Sequence, residues 1–288
     1  MITRIAQAVE GFTDSFDRAA ILDDDCLHTY DLLAEAVELL AGELRAAGVR
    51  GGDRVSIYMR FGYPALLAAL AVNYAGAVAI PLDIRETCAL TERKLRVAGA
   101  HWVLGHLGDD HIVEDVAGLE DPPMVSVAGE YTLLGLPGPA GRAEAAAGFA
   151  FCTPEGSGCR AVDTAVLADT AQAMARQWGI GADDTVALGS ELGEFEGFLA
   201  ATATLVSGAT LCLPGRTESA EHWHTASVLV HADIVDGAAP PPPEGPRVEP
   251  LFGRWSAESG SARDEIRELR FPTRPQGRAE RGQVRRCG

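Results

Sequence analysis

Strand-length apolar runs alternate with helix-length stripes along most of this 288-residue chain, and that alternation narrows the fold more than any other feature. Tyr30, Leu33, Val37, Leu40 and Leu44 recur at helical spacing behind Thr29, a residue type suited to a helix N-cap, and Gly48 ends the stripe. Gly51, Gly52 and Asp53 then turn the chain into an apolar strand over 55–59. An alanine- and leucine-rich helix over 63–74 follows, closed by Gly76, and leads into a strand over 77–81. A helix over 90–97 and a strand over 101–104 continue the pattern, and the residues from there to Gly148 read as loop-rich.

The second half repeats the arrangement. Strands are expected at 149–153, 185–188, 210–213 and 227–230, with helices over 162–179 and 195–207. This order predicts the α/β class: two β/α lobes, each with a largely parallel sheet covered by helices. The expected boundaries are 1–140 for the first lobe, 146–238 for the second, and 239–288 for a Pro-rich linker and an Arg-rich, disordered tail. The linker rests on Pro240, Pro241, Pro242, Pro243 and Pro246, which suit neither a helix interior nor a central strand. The tail stands apart by charge, with ten arginines against six acids from Arg247 onward in a chain whose formal net charge is −17.

That acidity repels polyanions and excludes nucleic acid as a partner for the body of the protein. No apolar run approaches the roughly 20 residues that a bilayer requires, and MITRIAQAVEGF lacks a basic region followed by an apolar stretch. The expectation is a soluble, cytoplasmic chain without a membrane partner. Cys26, Cys88, Cys152, Cys159, Cys212 and Cys287 form no CxxC pair, so reduced and mostly buried thiols are expected and no zinc ribbon.

Three segments carry a resemblance. HTYDLL at 28–33, GVRGGDRVSIYM at 48–59 and VNYAGAVAIPLD at 72–83, with its Ala-Gly-Ala-x-x-x-Pro-Leu-Asp signature, resemble successive landmarks of the adenylate-forming, AMP-binding enzymes. That family includes acyl-CoA synthetases and the adenylation domains of nonribosomal peptide synthetases. The resemblance implies the N-terminal core of that fold. The matching residues are also helix caps, turns and packing glycines, which identify a fold and carry no chemistry themselves.

The family places its chemistry in a Thr/Ser/Gly-rich loop ending in Pro-Lys-Gly, which follows a strand and wraps ATP phosphates. Here the strand Phe149-Ala150-Phe151-Cys152 runs into Thr153-Pro154-Glu155-Gly156-Ser157-Gly158-Cys159-Arg160-Ala161-Val162. Thr153, Ser157 and Gly158 match, and Arg160 is a cation one position from the expected lysine; these four are the candidate ATP-binding residues. The remainder departs from the pattern. Pro154 removes a backbone donor, Glu155 brings negative charge to a polyanion site, and Ala161 stands where the lysine belongs. The role expected of the segment is a strand-to-helix connection, with ATP and magnesium disfavoured.

Further along, Glu194-Phe195-Glu196-Gly197-Phe198 resembles the family's aromatic-acidic segment before a helix that helps form the acyl or amino-acid pocket; packing alone also explains it. The family's later Asn/Tyr-Gly-x-Thr-Glu and Tyr-x-x-Gly-Asp segments, and its small C-terminal lobe with a catalytic lysine, are not found. Lys94, the one lysine of the chain, reads as a solvated surface residue with no catalytic part. Catalytic and metal residues are therefore expected to be absent. His222 and His224 with Glu218 and Glu221, and His106 and His111 around Asp109 and Asp110, read as surface polar groups before metal ligands. Gly189-Ser190-Glu191-Leu192-Gly193 has glutamate where a hydrolase elbow needs its nucleophile.

Three functional readings follow. The first is a noncatalytic, adenylation-domain-like pseudoenzyme, truncated and degenerate, that partners a synthetase subunit or carrier protein in nonribosomal-peptide or related secondary metabolism, with self-association as a further possibility. The second is an AMP-forming ligase fragment with residual ATP and acyl or amino-acid binding, or one completed in trans. The third is a remnant with little activity of its own.

Overall fold

A computed structural model describes residues 18–23, 26–107, 124–136, 147–188 and 192–213, together with the backbone of strands at 228–231 and 247–250. The elements run β1 (Ala19–Asp23), β2 (Cys26–Thr29), α1 (Tyr30–Ala46), β3 (Arg54–Tyr58), α2 (Tyr63–Tyr74), β4 (Val78–Leu82), α3 (Cys88–Ala98), β5 (Trp102–His106), β6 (Met124–Val127) and β7 (Tyr131–Gly135). They continue with β8 (Gly148–Cys152), β9 (Cys159–Asp163), α4 (Thr164–Trp178), β10 (Thr185–Leu188), α5 (Phe195–Val206), β11 (Thr210–Leu213), β12 (Val228–His231) and β13 (Arg247–Pro250).

The strands form two sheets, ordered β6-β7-β5-β3-β4-β8-β9 and β13-β12-β10-β11-β1-β2. Each is parallel through its middle and antiparallel toward an edge: β3 pairs in parallel with β4 and β5, whereas β9 pairs antiparallel with β8 and β2 with β1. The α/β expectation therefore holds, with hairpins added at the rims.

Two compact units result, and they are not consecutive stretches of chain. One takes residues 32–166 and the other takes 3–31 with 167–288. Division at 140–146 follows the order of the chain, whereas pairing sends β1 and β2 to the sheet of β10 and β11 and sends β8 to β4. The cause is hydrogen-bond pairing: β1 and β8 each join a sequence-distant strand in parallel, and β2 follows β1 as its antiparallel neighbour.

Within the first unit, α2 is buried almost all round from Ala65 to Asn73, and every residue of β4 is buried. Small side chains permit that. Asn73, near the end of α2, donates from Nδ2 to Thr164 Oγ1 at 2.7 Å, and Thr164 Oγ1 in turn donates to the Ala147 carbonyl at 2.9 Å. This bridge fixes the entry to β8 and the exit from β9 on the same helix. Asp163 Oδ1 then accepts the Ala165 amide at 2.7 Å and starts α4, as a first-turn acceptor should. Tyr58, Val78, Ile80, Leu82, Leu95, Val103, Leu134 and Ala150 make one apolar cluster, with Cys152 and Cys159 against its margin.

In the second unit, Tyr30 donates its hydroxyl to the carbonyls of Leu205 at 3.1 Å and Ala209 at 2.7 Å, and burial pushes its pKa well up. Along α5 every residue is buried except Glu196.

Several expectations change. The stretch to Gly148 contains the antiparallel pair β6–β7. The helix read from residue 162 starts at Thr164, because 159–163 are a strand. Residues 247–250, read as part of a disordered tail, form β13 in parallel with β12. The rest of 251–288 lies outside the described residues, as do His111, Asp109, Asp110, Glu218, Glu221, His222, His224, Gly189, Ser190 and Glu191. Among the described residues no helix is long and apolar enough to cross a membrane.

Candidate functional site

The Thr/Ser/Gly-rich segment is the turn of a β-hairpin. β8 and β9 pair with Phe149 opposite Val162, Phe151 opposite Arg160 and Cys152 opposite Cys159, which leaves 153–158 to reverse the chain. Thr153 donates its amide to the Gly158 carbonyl at 2.9 Å, and its own carbonyl accepts the Gly156 amide at 2.9 Å. Thr153 is buried, and its Oγ1 accepts the amides of Ser157 at 3.0 Å and Gly158 at 3.2 Å.

The hydroxyls are committed as well. Ser157 Oγ donates to Glu155 Oε1 at 2.6 Å, so its contact with Thr153 Oγ1 at 3.2 Å takes its proton from Thr153. A relay runs from Thr153 through Ser157 to the Glu155 carboxylate. Glu155 thereby has a structural use: it terminates the turn's hydroxyl chain.

The turn rests on α3. Gly156 has φ +67°, and a Cβ there would lie 3.1 Å from Leu90 Cδ1, 3.2 Å from Lys94 Cγ and 3.3 Å from Arg93 Cδ. Only glycine gives both the left-handed conformation and that clearance. Arg93 Nη1 also donates to the Glu155 carbonyl at 3.3 Å.

Of the four sequence candidates, Thr153, Ser157 and Gly158 are brought together around one oxygen. Arg160 is separate from them: it is half-buried in β9, opposite Phe151. Ala161 faces solvent opposite Ala150.

Lys94 is a correction. It is buried, with its side chain 7% exposed, and its Nζ pairs with Glu86 Oε1. Lys94 is buried because the hairpin turn lies over its stem, and a buried ammonium needs a counter-charge. Thr91, Leu95 and Ala98 are buried on the same face of α3, so helical position carried a sign of this that the charge of the residue masked.

The cysteines also differ from expectation. Cys26 and Cys88 are exposed, Cys152 and Cys159 are half-buried, and Cys212 is buried. The Cys152–Cys159 pairing has a spacing signal only once the hairpin is recognised. His106 meets the Tyr131 ring edge-on, with centroids 5.4 Å apart. Among the described residues, no group of three or more His, Cys, Asp or Glu side chains is placed to hold a metal ion.

Residues 10–136 match the family of AMP-binding enzymes. The N-terminal part of this chain belongs to the adenylate-forming, AMP-binding family. The hairpin turn lies downstream of the matched range. A feruloyl-CoA synthase from Amycolatopsis is 45% identical over 73 residues, covering 25% of this chain and 15% of that protein. The O-succinylbenzoate coenzyme A synthetase of Bacillus subtilis, solved in complex with AMP, superposes with a TM-score of 0.59 at 18% identity, over 79% of this chain and 61% of that one. The N-terminal subdomain of Klebsiella oxytoca NpsA, in complex with 3-hydroxyanthranilyl-AMSN, gives 0.58 at 18% identity, over 80% and 59%. These structural likenesses establish the fold. The aligned segments span 3% to 17% of the length of the curated relatives.

Proposed function

We propose that this chain is an adenylation-domain-like protein that does not use ATP at its phosphate-loop position and acts as a noncatalytic partner of a synthetase subunit or carrier protein. One observation carries the reading: the amides of Gly156, Ser157 and Gly158 are all engaged inside the turn, by the Thr153 carbonyl and hydroxyl. A phosphate loop works by aiming such amides outward at oxygens. The Glu155 carboxylate beside them opposes a polyanion, and the Lys94 ammonium beneath is neutralised by Glu86. The residues present therefore do not fit a nucleoside triphosphate. Relatives include a hybrid polyketide–nonribosomal peptide synthetase from Neonectria and an anguibactin system regulator from Vibrio anguillarum, which supports a setting in secondary metabolism.

A second reading has its own support. The NpsA N-terminal subdomain holds an adenylate analogue. An equivalent surface here would give a ligase fragment with residual acyl-adenylate binding, or one completed in trans by another chain.

Titration calorimetry with Mg-ATP, beside pyrophosphate exchange over a panel of carboxylic and amino acids, separates the two. The first reading expects neither heat nor exchange, together with retention of a carrier protein on the immobilised chain. Exchange above background overturns it in favour of the second.

A further inference from the structure

Cys152 and Cys159 face each other across the β8–β9 ladder. The position just beyond them, Thr153 with Gly158, carries the ladder bond from the Thr153 amide to the Gly158 carbonyl. Hydrogen-bonded and non-bonded pairs alternate along an antiparallel ladder, so Cys152–Cys159 is a non-bonded pair. In such a pair the Cα atoms lie about 4.5 Å apart with side chains on one face, inside the roughly 4.4–6.8 Å window that a disulfide requires.

Both thiols are free and half-buried, and Cys152 Sγ also lies 3.9 Å from the Lys94 carbonyl. The pair sits at the mouth of the turn, against the face where α3 packs. We propose that Cys152 and Cys159 are a reversible dithiol–disulfide site that reacts with low-molecular-weight disulfide oxidants.

The two sulfurs are not equivalent. The hydrogen bond from Cys152 holds the Cys159 thiol below its ordinary pKa, helped by the Arg54 and Lys94 cations and opposed by burial. That same hydrogen bond, then burial, pushes Cys152 up. Cys159 is accordingly the attacking group and Cys152 the resolving one.

The Cys159 thiolate attacks one sulfur of the oxidant, forming a mixed disulfide and expelling one small thiolate. Cys152 then gives up its proton and attacks Cys159 Sγ; the mixed disulfide breaks and the second small thiolate leaves. Two electrons pass from the protein pair to the oxidant, and the two protons finish on the two released thiols. Oxidation ties the strands together at the mouth of the turn.

The experiment is differential alkylation of the full chain after equilibration with oxidised glutathione, read by mass spectrometry. Arginines at 142 and 160 place both cysteines on one tryptic peptide, residues 143–160. The expected result is loss of two hydrogens from that peptide, restored by dithiothreitol, while Cys26 and Cys88 appear as glutathione adducts. Cys152→Ser is expected to trap one glutathione on Cys159, and Cys159→Ser to lose reaction at both positions. Full alkylation of both cysteines in wild type, under conditions that convert Cys26 and Cys88, would overturn the proposal. So would glutathione on Cys152 in the Cys159→Ser variant, for the assignment of roles.

Discussion

Two turns of the same unit close on a side-chain oxygen, and they differ in what surrounds it. At residues 50–53 Asp53 is buried, and its Oδ2 accepts the Arg50 amide at 2.9 Å and the Trp102 indole N–H at 3.1 Å. Gly52 donates its amide to the Gly76 carbonyl at 3.0 Å, so this turn is bolted to the one that enters β4. At 153–158 the Thr153 hydroxyl performs the same closure, but Pro154, Glu155 and Ser157 around it are exposed. The first turn is held by the buried Asp53 and lies inside the stretch that matches the family. The second faces solvent and lies beyond that stretch. Similar hydrogen-bond logic therefore closes a turn tied to the core in one place and a solvent-facing one in the other.

The comparison breaks most directly at Asp53. Asp53→Ala leaves two donors unmet in a buried site and is expected to cost about 3 kcal/mol of unfolding free energy, read from urea denaturation. A loss equal to that of Thr153→Val would remove the distinction between the turns. Gly156→Ala is next, at about 1–2 kcal/mol, from a left-handed backbone and the close Leu90 and Lys94 atoms. Near-wild-type stability there would mean that the turn is not seated on α3. Thr153→Val comes last, at about 1 kcal/mol, since the Ser157 amide can turn to water. In amide exchange, Ser157 and Gly158 should lose protection in that variant while Arg50 keeps its own.

Legibility followed the same line. The strand at 55–59, the helix at 63–74 and the strand at 77–81 were readable because burial fixes apolar spacing and glycine position together. β9 was not: in Cys159–Asp163 only Val162 is buried, and the adjoining helix pattern absorbs it. β6 is exposed at three of its four residues, so it lacks apolar alternation. β13 borders a proline run, and its position comes from backbone pairing to β12, which no residue type announces. Within the site, the sequence placed Thr153, Ser157 and Gly158 in one segment between β8 and the next helix, and the structure makes that segment a hairpin turn. Their mutual engagement was not visible, because it depends on which way each amide points. Lys94 was misjudged for a related reason: its counter-ion lies eight residues back and its cover lies across the sheet.

Lys94 has a practical corollary. It is the single lysine among the 288 residues, and the hairpin and Glu86 enclose it. Reagents that acylate or cross-link ε-amines therefore meet no exposed side chain on the folded protein. A leaked acyl adenylate would likewise find no exposed lysine to acylate. Attachment to a resin or probe is better aimed at the plentiful carboxylates, or at the exposed thiols of Cys26 and Cys88.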